Sequence, residues 1–165
     1  MIPNTPIVNL PARSGPPPAV RRPSIERPGP HQQLTQNAPR ELQEALFALG
    51  RSLPGVAAGR SLVSLPGARA FFLDPSLANG PDAAFQAGTE FAHIHAPFDG
   101  SLHVTLPEAV ARAVVARGWG EPHPVQKGLL IYGPRDEQEL AVAWQLLRIS
   151  HVFACGAWTA DDAAA

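Results

Sequence analysis

Apolar and polar residues alternate most regularly between Phe91 and Leu106. Ala92, Ile94, Leu102, Val104 and Leu106 share one parity, and Phe91, His93, His95, His103 and Thr105 share the other. A strand turns successive side chains to opposite faces, so this pattern describes a β-hairpin with one apolar face. The arms are separated by Pro97-Phe98-Asp99-Gly100, and Asp-Gly between alternating runs is a strong hairpin signal. A three-residue loop Phe98-Asp99-Gly100, with Gly100 left-handed in a G1 bulge, sets Pro97 opposite Ser101 and His95 opposite His103. His93, His95 and His103 then share a face. A one-residue slip would mix the two sets, which a sheet with one buried face resists.

The flanking pattern supplies the other elements. Leu42, Ala45, Leu46, Leu49 and Leu53 recur at helical spacing, which predicts a helix from about Pro39 to Ser52, capped by Asn37 and ended by Pro54-Gly55. Short strands are expected near Ser61–Leu65 and Ala68–Leu73 around a Pro66-Gly67 turn. Residues 74–87 read as a loop with one helical turn, because Asn79-Gly80-Pro81 breaks anything longer. Thr105-Leu106-Pro107-Glu108 matches a capping box, opening a helix with Val110 and Val114 on its stripe and Gly118 at its end. Trp119 to Pro124 is a rigid loop. Leu129–Tyr132 reads as a buried strand. Asp136 with Glu139 opens a last helix whose face carries Leu140, Ala143, Trp144 and Leu147, with His151 on the same stripe, and which stops at Gly156. The order predicts an α+β fold: one mainly antiparallel sheet with about three helices on one face.

Composition changes this picture at the ends. Ten of the 19 prolines precede residue 40. Residues 1–36 hold Arg13, Arg21, Arg22 and Arg27 against Glu26 and read as a disordered Pro/Arg-rich tail, or as a polyproline ligand for a protein partner. The folded domain is expected over 37–156, with 157–165 a frayed tail. A net charge of −1 gives no electrostatic case for nucleic acid or an anionic membrane. The lone Cys155 excludes an internal disulfide, and with no secretory signal or spanning segment the reading is a cytoplasmic chain.

The chemistry concentrates on the histidines. Histidines at i and i+2 of a strand point the same way, and a third arriving from the paired strand completes a candidate transition-metal site of His93, His95 and His103. Glu90 or Glu121 could add a carboxylate, although strict alternation turns Glu90 to the opposite face. Gly88, His93, His95 and Asp99 are similar to the cupin pattern, with the first gap one residue short and Asp99 needed in the turn. The same residues also fit a hydrogen-bonded polar face without a metal. His123 sits between two prolines in a loop suited to line a site. Phe91, Thr105 and Trp119 are candidates for a pocket wall. His31 lies in the tail and is assigned no role. Cys155, near a helix C-terminus, is not a nucleophile.

Four motifs follow one another in order: Gly88-Thr89-Glu90-Phe91-Ala92-His93-Ile94-His95, Asp99-Gly100-Ser101-Leu102-His103, Gly118-Trp119-Gly120-Glu121-Pro122-His123-Pro124 and Tyr132-Gly133-Pro134-Arg135-Asp136. Together they resemble the small bacterial and fungal domain family named for fungal luciferase, over about residues 55–156. The resemblance implies oxidation of a hispidin-like (styryl-pyrone) compound by O2 as co-substrate without an organic cofactor. It makes His93, His95, His103 and His123, with Glu90 and Glu121, the catalytic candidates: one neutral imidazole to deprotonate an enol and another to hold an oxyanion. This chain is shorter than the fungal enzyme, so light emission is not implied.

Three readings follow: an oxygenase acting on a small enolisable aromatic substrate, a metal-dependent enzyme using the same histidines, and a non-catalytic module binding a small molecule or partner. Deleting residues 1–36 is expected to weaken partner capture under the third and to leave turnover untouched under the first two.

Overall fold

The computed structural model describes residues 10–159. β1 (Val20–Arg21) and β2 (Gln32–Gln33) form a small antiparallel ribbon. The domain proper follows as α1 (Arg40–Arg51), β3 (Val56–Arg60), β4 (Arg69–Leu73), a 3-10 turn (Asp82–Ala84), β5 (Glu90–Ile94), β6 (Leu102–Val104), α2 (Glu108–Ala116), β7 (Gly120–Pro122), β8 (Leu129–Ile131) and α3 (Glu137–Ala154). The main sheet runs β3-β4-β5-β6-β8-β7, and every neighbouring pair is antiparallel. This is the α+β arrangement expected from the pattern.

Local chemistry explains the elements. The Asp136 carboxylate caps α3 by accepting from the Glu139 amide, and Glu137 and Glu139 place negative charge at the positive end of the helix dipole. The other two expected caps are absent. Asn37 donates instead to the Gln33 and Asp99 carbonyls (3.0 and 2.9 Å). The Thr105 hydroxyl donates to the Ala84 carbonyl at 2.7 Å, so α2 begins at Glu108 without a capping box. The first strand lies earlier than expected, at Val56–Arg60, because Gly55 (φ +71°) lets the chain leave α1 and pair at once.

Phe71, Phe91, Ala92, Ile94, Leu102, Val104 and Ile131 form the sheet's share of the core. Leu42 and Leu46 of α1, Val110 and Val114 of α2, and Leu146 and Leu147 of α3 complete it. About 25 cal/mol per Å² of apolar surface removed from water is the term holding these layers together.

The hairpin register differs from expectation by two residues. Ala92 pairs with Val104, His93 with His103 and Ile94 with Leu102. The Ala96 carbonyl accepts from both the Asp99 and Gly100 amides, which closes a longer loop than a G1 bulge would, while Gly100 keeps its left-handed φ of +73°. An even shift leaves both faces with the residues predicted for them. One irregularity matters more. Phe71 pairs with Ala92 but Phe72 pairs with Glu90, so Phe91 is an extra residue in β5. This bulge turns Phe91 into the core against Phe71 and brings Glu90 onto the histidine face.

The segment expected to be a disordered tail is, over residues 10–36, a strap bound to the domain. Leu10 is buried in the core, the Trp119 indole N–H donates to the Pro11 carbonyl, and the Arg135 guanidinium donates to the Ser14 carbonyl. Gln33 is fully buried: its amide donates to Asp99 Oδ2 (3.1 Å), and its side-chain oxygen accepts from the Gly133 amide (2.8 Å). Few aliphatics are needed, because the domain satisfies the strap's polar groups and proline reduces the freedom the unfolded chain loses. The expected disorder of residues 1–9 concerns residues outside the described ones. At the other end Trp158 packs against the core, and residues 160–165 lie outside the described ones. Among the described residues no helix is long and apolar enough to cross a membrane.

Candidate active site

The sheet face opposite the core carries a row of paired positions: Ala70, His93, His103, Leu130 and Glu121, one from each of five adjacent strands. His95 follows at the end of β5. The strap, the 61–68 loop and the β7–β8 loop cover this face and leave a cavity of about 180 Å³. Its lining includes His31, His93, His95, His103, His123 and Asp99. The rings run in a chain. Centroids are 5.1 Å apart for His95–His93, 4.9 Å for His93–His103, 5.0 Å for His103–His123 and 4.9 Å for His123–His31.

Each imidazole is fixed through one nitrogen, and its partner defines the tautomer. His93 Nδ1 lies 2.9 Å from Glu90 Oε1 and 2.8 Å from Gln86 Oε1. His95 Nδ1 lies 3.2 Å from Asp99 Oδ2 and 2.9 Å from Ser101 Oγ, whose own proton goes to Asp99 Oδ1. His103 Nε2 donates to the Lys127 carbonyl at 2.8 Å, and His31 Nε2 to Glu121 Oε1 at 2.7 Å. Carbonyl and carboxylate oxygens only accept, so these four rings keep a lone pair on His93 Nε2, His95 Nε2, His103 Nδ1 and His31 Nδ1. His93 Nε2 and His31 Nδ1 are buried with no partner among the described residues. His123 is the reverse case. Its Nδ1 accepts from the Val125 and Gln126 amides (3.1 and 2.9 Å), which leaves the proton on Nε2.

Electrostatics keeps His31, His93, His103 and His123 neutral. Burial drives His93 and His103 well below the ordinary imidazole pKa, and the neighbouring histidines add to the effect. Burial, with His31 and His95, pushes His123 down to about 4. Burial lowers His31 more than Glu121 raises it. Burial would raise Asp99, but the hydrogen bonds from His95 and Ser101 hold it below the usual carboxylate range. Burial opposes ionisation of Glu121 too, and Arg22 and His31 outweigh it. Glu90 moves the other way. Burial raises it despite donation from the Leu62 amide and the Ser61 hydroxyl.

The structure thus brings together His93, His95, His103 and His123. It sets Glu90 behind His93 and Glu121 behind His31. Phe91, Thr105 and Trp119 do not line the cavity. The bulge buries Phe91, Thr105 is 1% exposed and bonded to backbone carbonyls, and Trp119 packs in the core with its N–H on the strap. Two participants escaped the sequence reading. His31 sits in a Pro-rich stretch without periodicity, where a buried ring and a solvated one look alike. Asp99 was read mainly as a turn residue, yet its carboxylate serves the turn, the strap and His95 at once.

An α+β domain whose sheet bears a histidine-lined cavity is the class of protein defined so far. Residues 88–150 match the family model described as "Luciferase domain". Among curated proteins, "Luciferase" of Armillaria ostoyae is 34% identical over 86 residues, covering 47% of this chain and 32% of that protein. "Luciferase" of Neonothopanus nambi is 30% identical over 99 residues, covering 50% of this chain and 37% of that protein. The resemblance read from the four motifs is therefore shown: the chain is similar to fungal luciferases over about half its length. It spans about a third of the length of the curated relatives it matches. No solved structure gives a significant match. The matched stretch holds six of the site residues (Glu90, His93, His95, Asp99, His103 and His123) and Glu121, whereas His31 lies outside it.

Proposed function

We propose that the chain is a luciferase-like oxidoreductase that uses O2 to oxidise a small enolisable aromatic compound in the histidine cavity. The observation that carries this reading is the arrangement of neutral imidazoles, one N–H donor and the ionised Asp99 around a cavity with an apolar rim, with the ionised Glu121 behind His31. Phe98 and Leu65, 65% and 50% exposed, stand at that rim. A cavity of about 150 Å³ accepts a benzene ring, so 180 Å³ suits one substituted ring, with a second lying against Phe98.

His31 with Glu121 is the base in this reading. Nδ1 takes the enol proton, and the ionised Glu121 balances the imidazolium that forms, as a carboxylate does behind a catalytic histidine. The electron pair released to carbon forms a C–O bond to O2, which is reduced to the peroxide level as the carbon is oxidised. The imidazolium returns the proton to the terminal oxygen, giving a hydroperoxide. His123 Nε2–H is available to hold the enolate oxygen.

Oxygen consumption with a 4-hydroxy-2-pyrone bearing an aryl substituent tests the reading. The intact chain is expected to consume oxygen. His31→Ala and Glu121→Gln are expected to lower the rate by roughly 100-fold or more. Full activity in both variants would remove the dyad from the mechanism, and no oxygen uptake with any such pyrone would remove the reaction.

A further inference from the structure

We infer that His93, His95 and His103 bind a divalent first-row transition ion, leaving a coordination position open to the cavity. The inference rests on the geometry of these three side chains and stands whether or not the oxidation reading holds. One ring nitrogen from each lies within 4.8 Å of the others, which leaves a point about 2.8 Å or less from all three. Movement of each by less than about 1 Å reaches the ~2.0–2.1 Å of a metal–imidazole bond. Rings sharing one ion at that distance have centroids about 4.5–5.5 Å apart. Two of the observed separations, 5.1 and 4.9 Å, fall in that range, and the third, 6.3 Å between His95 and His103, closes to it by the same small movement; the ring planes are 40° to 81° apart rather than stacked.

The second observation is the support behind each ring. A metal-binding imidazole presents a lone pair to the ion and donates its other N–H to a carboxylate or carbonyl. Here His93 has Glu90, His95 has Asp99 and His103 has the Lys127 carbonyl. His93 Nε2 is buried with no partner among the described residues. A buried nitrogen left without a partner is destabilising, and an ion would remove that penalty. Three neutral nitrogens with no thiolate, and carboxylates only behind them, suit zinc, iron(II), cobalt(II), nickel or copper rather than magnesium or calcium. Gly128 belongs to the same device. At φ +93°, with Val104 O and His103 Nε2 at 2.6 and 3.1 Å from a Cβ built there, it lets the loop approach closely enough for Lys127 to hold His103.

The test is elemental analysis of the untagged full chain after incubation with cobalt(II) and dialysis, read beside the visible d–d spectrum of the cobalt protein. About one equivalent of cobalt with a ligand-field band is expected. The His93→Ala/His95→Ala double variant is expected to lose both, and Glu90→Gln, which keeps all three ligands, to bind roughly 10–100-fold more weakly. His123→Ala is expected to retain the ion. Far-ultraviolet circular dichroism of each variant separates lost ligands from lost fold, and the Glu90→Gln titration decides the matter if the double variant does not fold. Less than a tenth of an equivalent in the intact chain would overturn the inference. So would retention by a folded double variant, unchanged affinity in Glu90→Gln, or loss of the ion from a folded His123→Ala.

Discussion

At the residue scale, the molecule stores several imidazoles in their neutral form. His31, His93, His103, His123 and His151 all have pKa values lowered, by burial first of all. Below the unfolded value near 6.5 the unfolded chain binds protons that the folded chain refuses, so stability is full above that pH and falls as pH drops. For His123 the loss is complete only below about 4. Each such group contributes a slope of up to about 1.4 kcal/mol per pH unit in its window. Asp99 and Glu121, whose values are depressed, act in the same sense once pH falls through the carboxylate range. Glu90, whose value is raised, offsets part of the loss. The urea midpoint of the metal-free protein is therefore expected to fall from about pH 7.5 to about pH 5; an unchanged midpoint would show that the rings are not held neutral. His93, His95 and His103 were legible in the sequence because alternation assigns a face without knowing the fold. Nothing local distinguishes His31 from a solvated tail residue, because its burial depends on Glu121, 90 positions later.

At the level of elements, period and turn chemistry served well, and side-chain competition did not. The hairpin's faces were correct although its register was off by two, since parity survives an even shift. The bulge at Phe91 left no signature, because an extra residue breaks alternation without changing composition. Glu90 was therefore assigned to the wrong face and Phe91 to the cavity wall. Asn37 and Thr105 had capping chemistry but found other partners, and only the tertiary arrangement shows which partner wins. Gly128 gives this scale its test. A methyl group there meets the Val104 carbonyl at 2.6 Å in a left-handed backbone. Gly128→Ala is expected to cost roughly 1–3 kcal/mol and to weaken cobalt binding, because the loop that fixes His103 must shift. An unchanged thermal midpoint and cobalt affinity would sink this account.

For the whole molecule, the α+β class, the helix placement and much of the core follow from the apolar pattern. The strap does not, because it is held by polar contacts to Trp119, Gly133 and Arg135 and not by an apolar stripe. The position of residues 10–36 argues against the expectation that residues 1–36 are dispensable for turnover. Removing them takes away His31, the cavity roof and the partners of the Trp119 indole and Asp99. The truncated protein is expected to lose oxygen consumption and to melt several degrees lower, since about 1 kcal/mol per lost hydrogen bond accumulates over these contacts. Unchanged turnover would return the strap to the role of a partner ligand. The contacts also impose an order in time. The strap is synthesised before the groups that secure it. Its anchors span 99 to 121 positions (Arg22 to Glu121, Gln33 to Gly133, Trp119 to Pro11, Arg135 to Ser14). Such distant pairings close slowly. A nascent or half-folded chain therefore carries a histidine face that its strap has yet to cover, and the chamber is finished only when that early-made segment meets groups made about a hundred residues later.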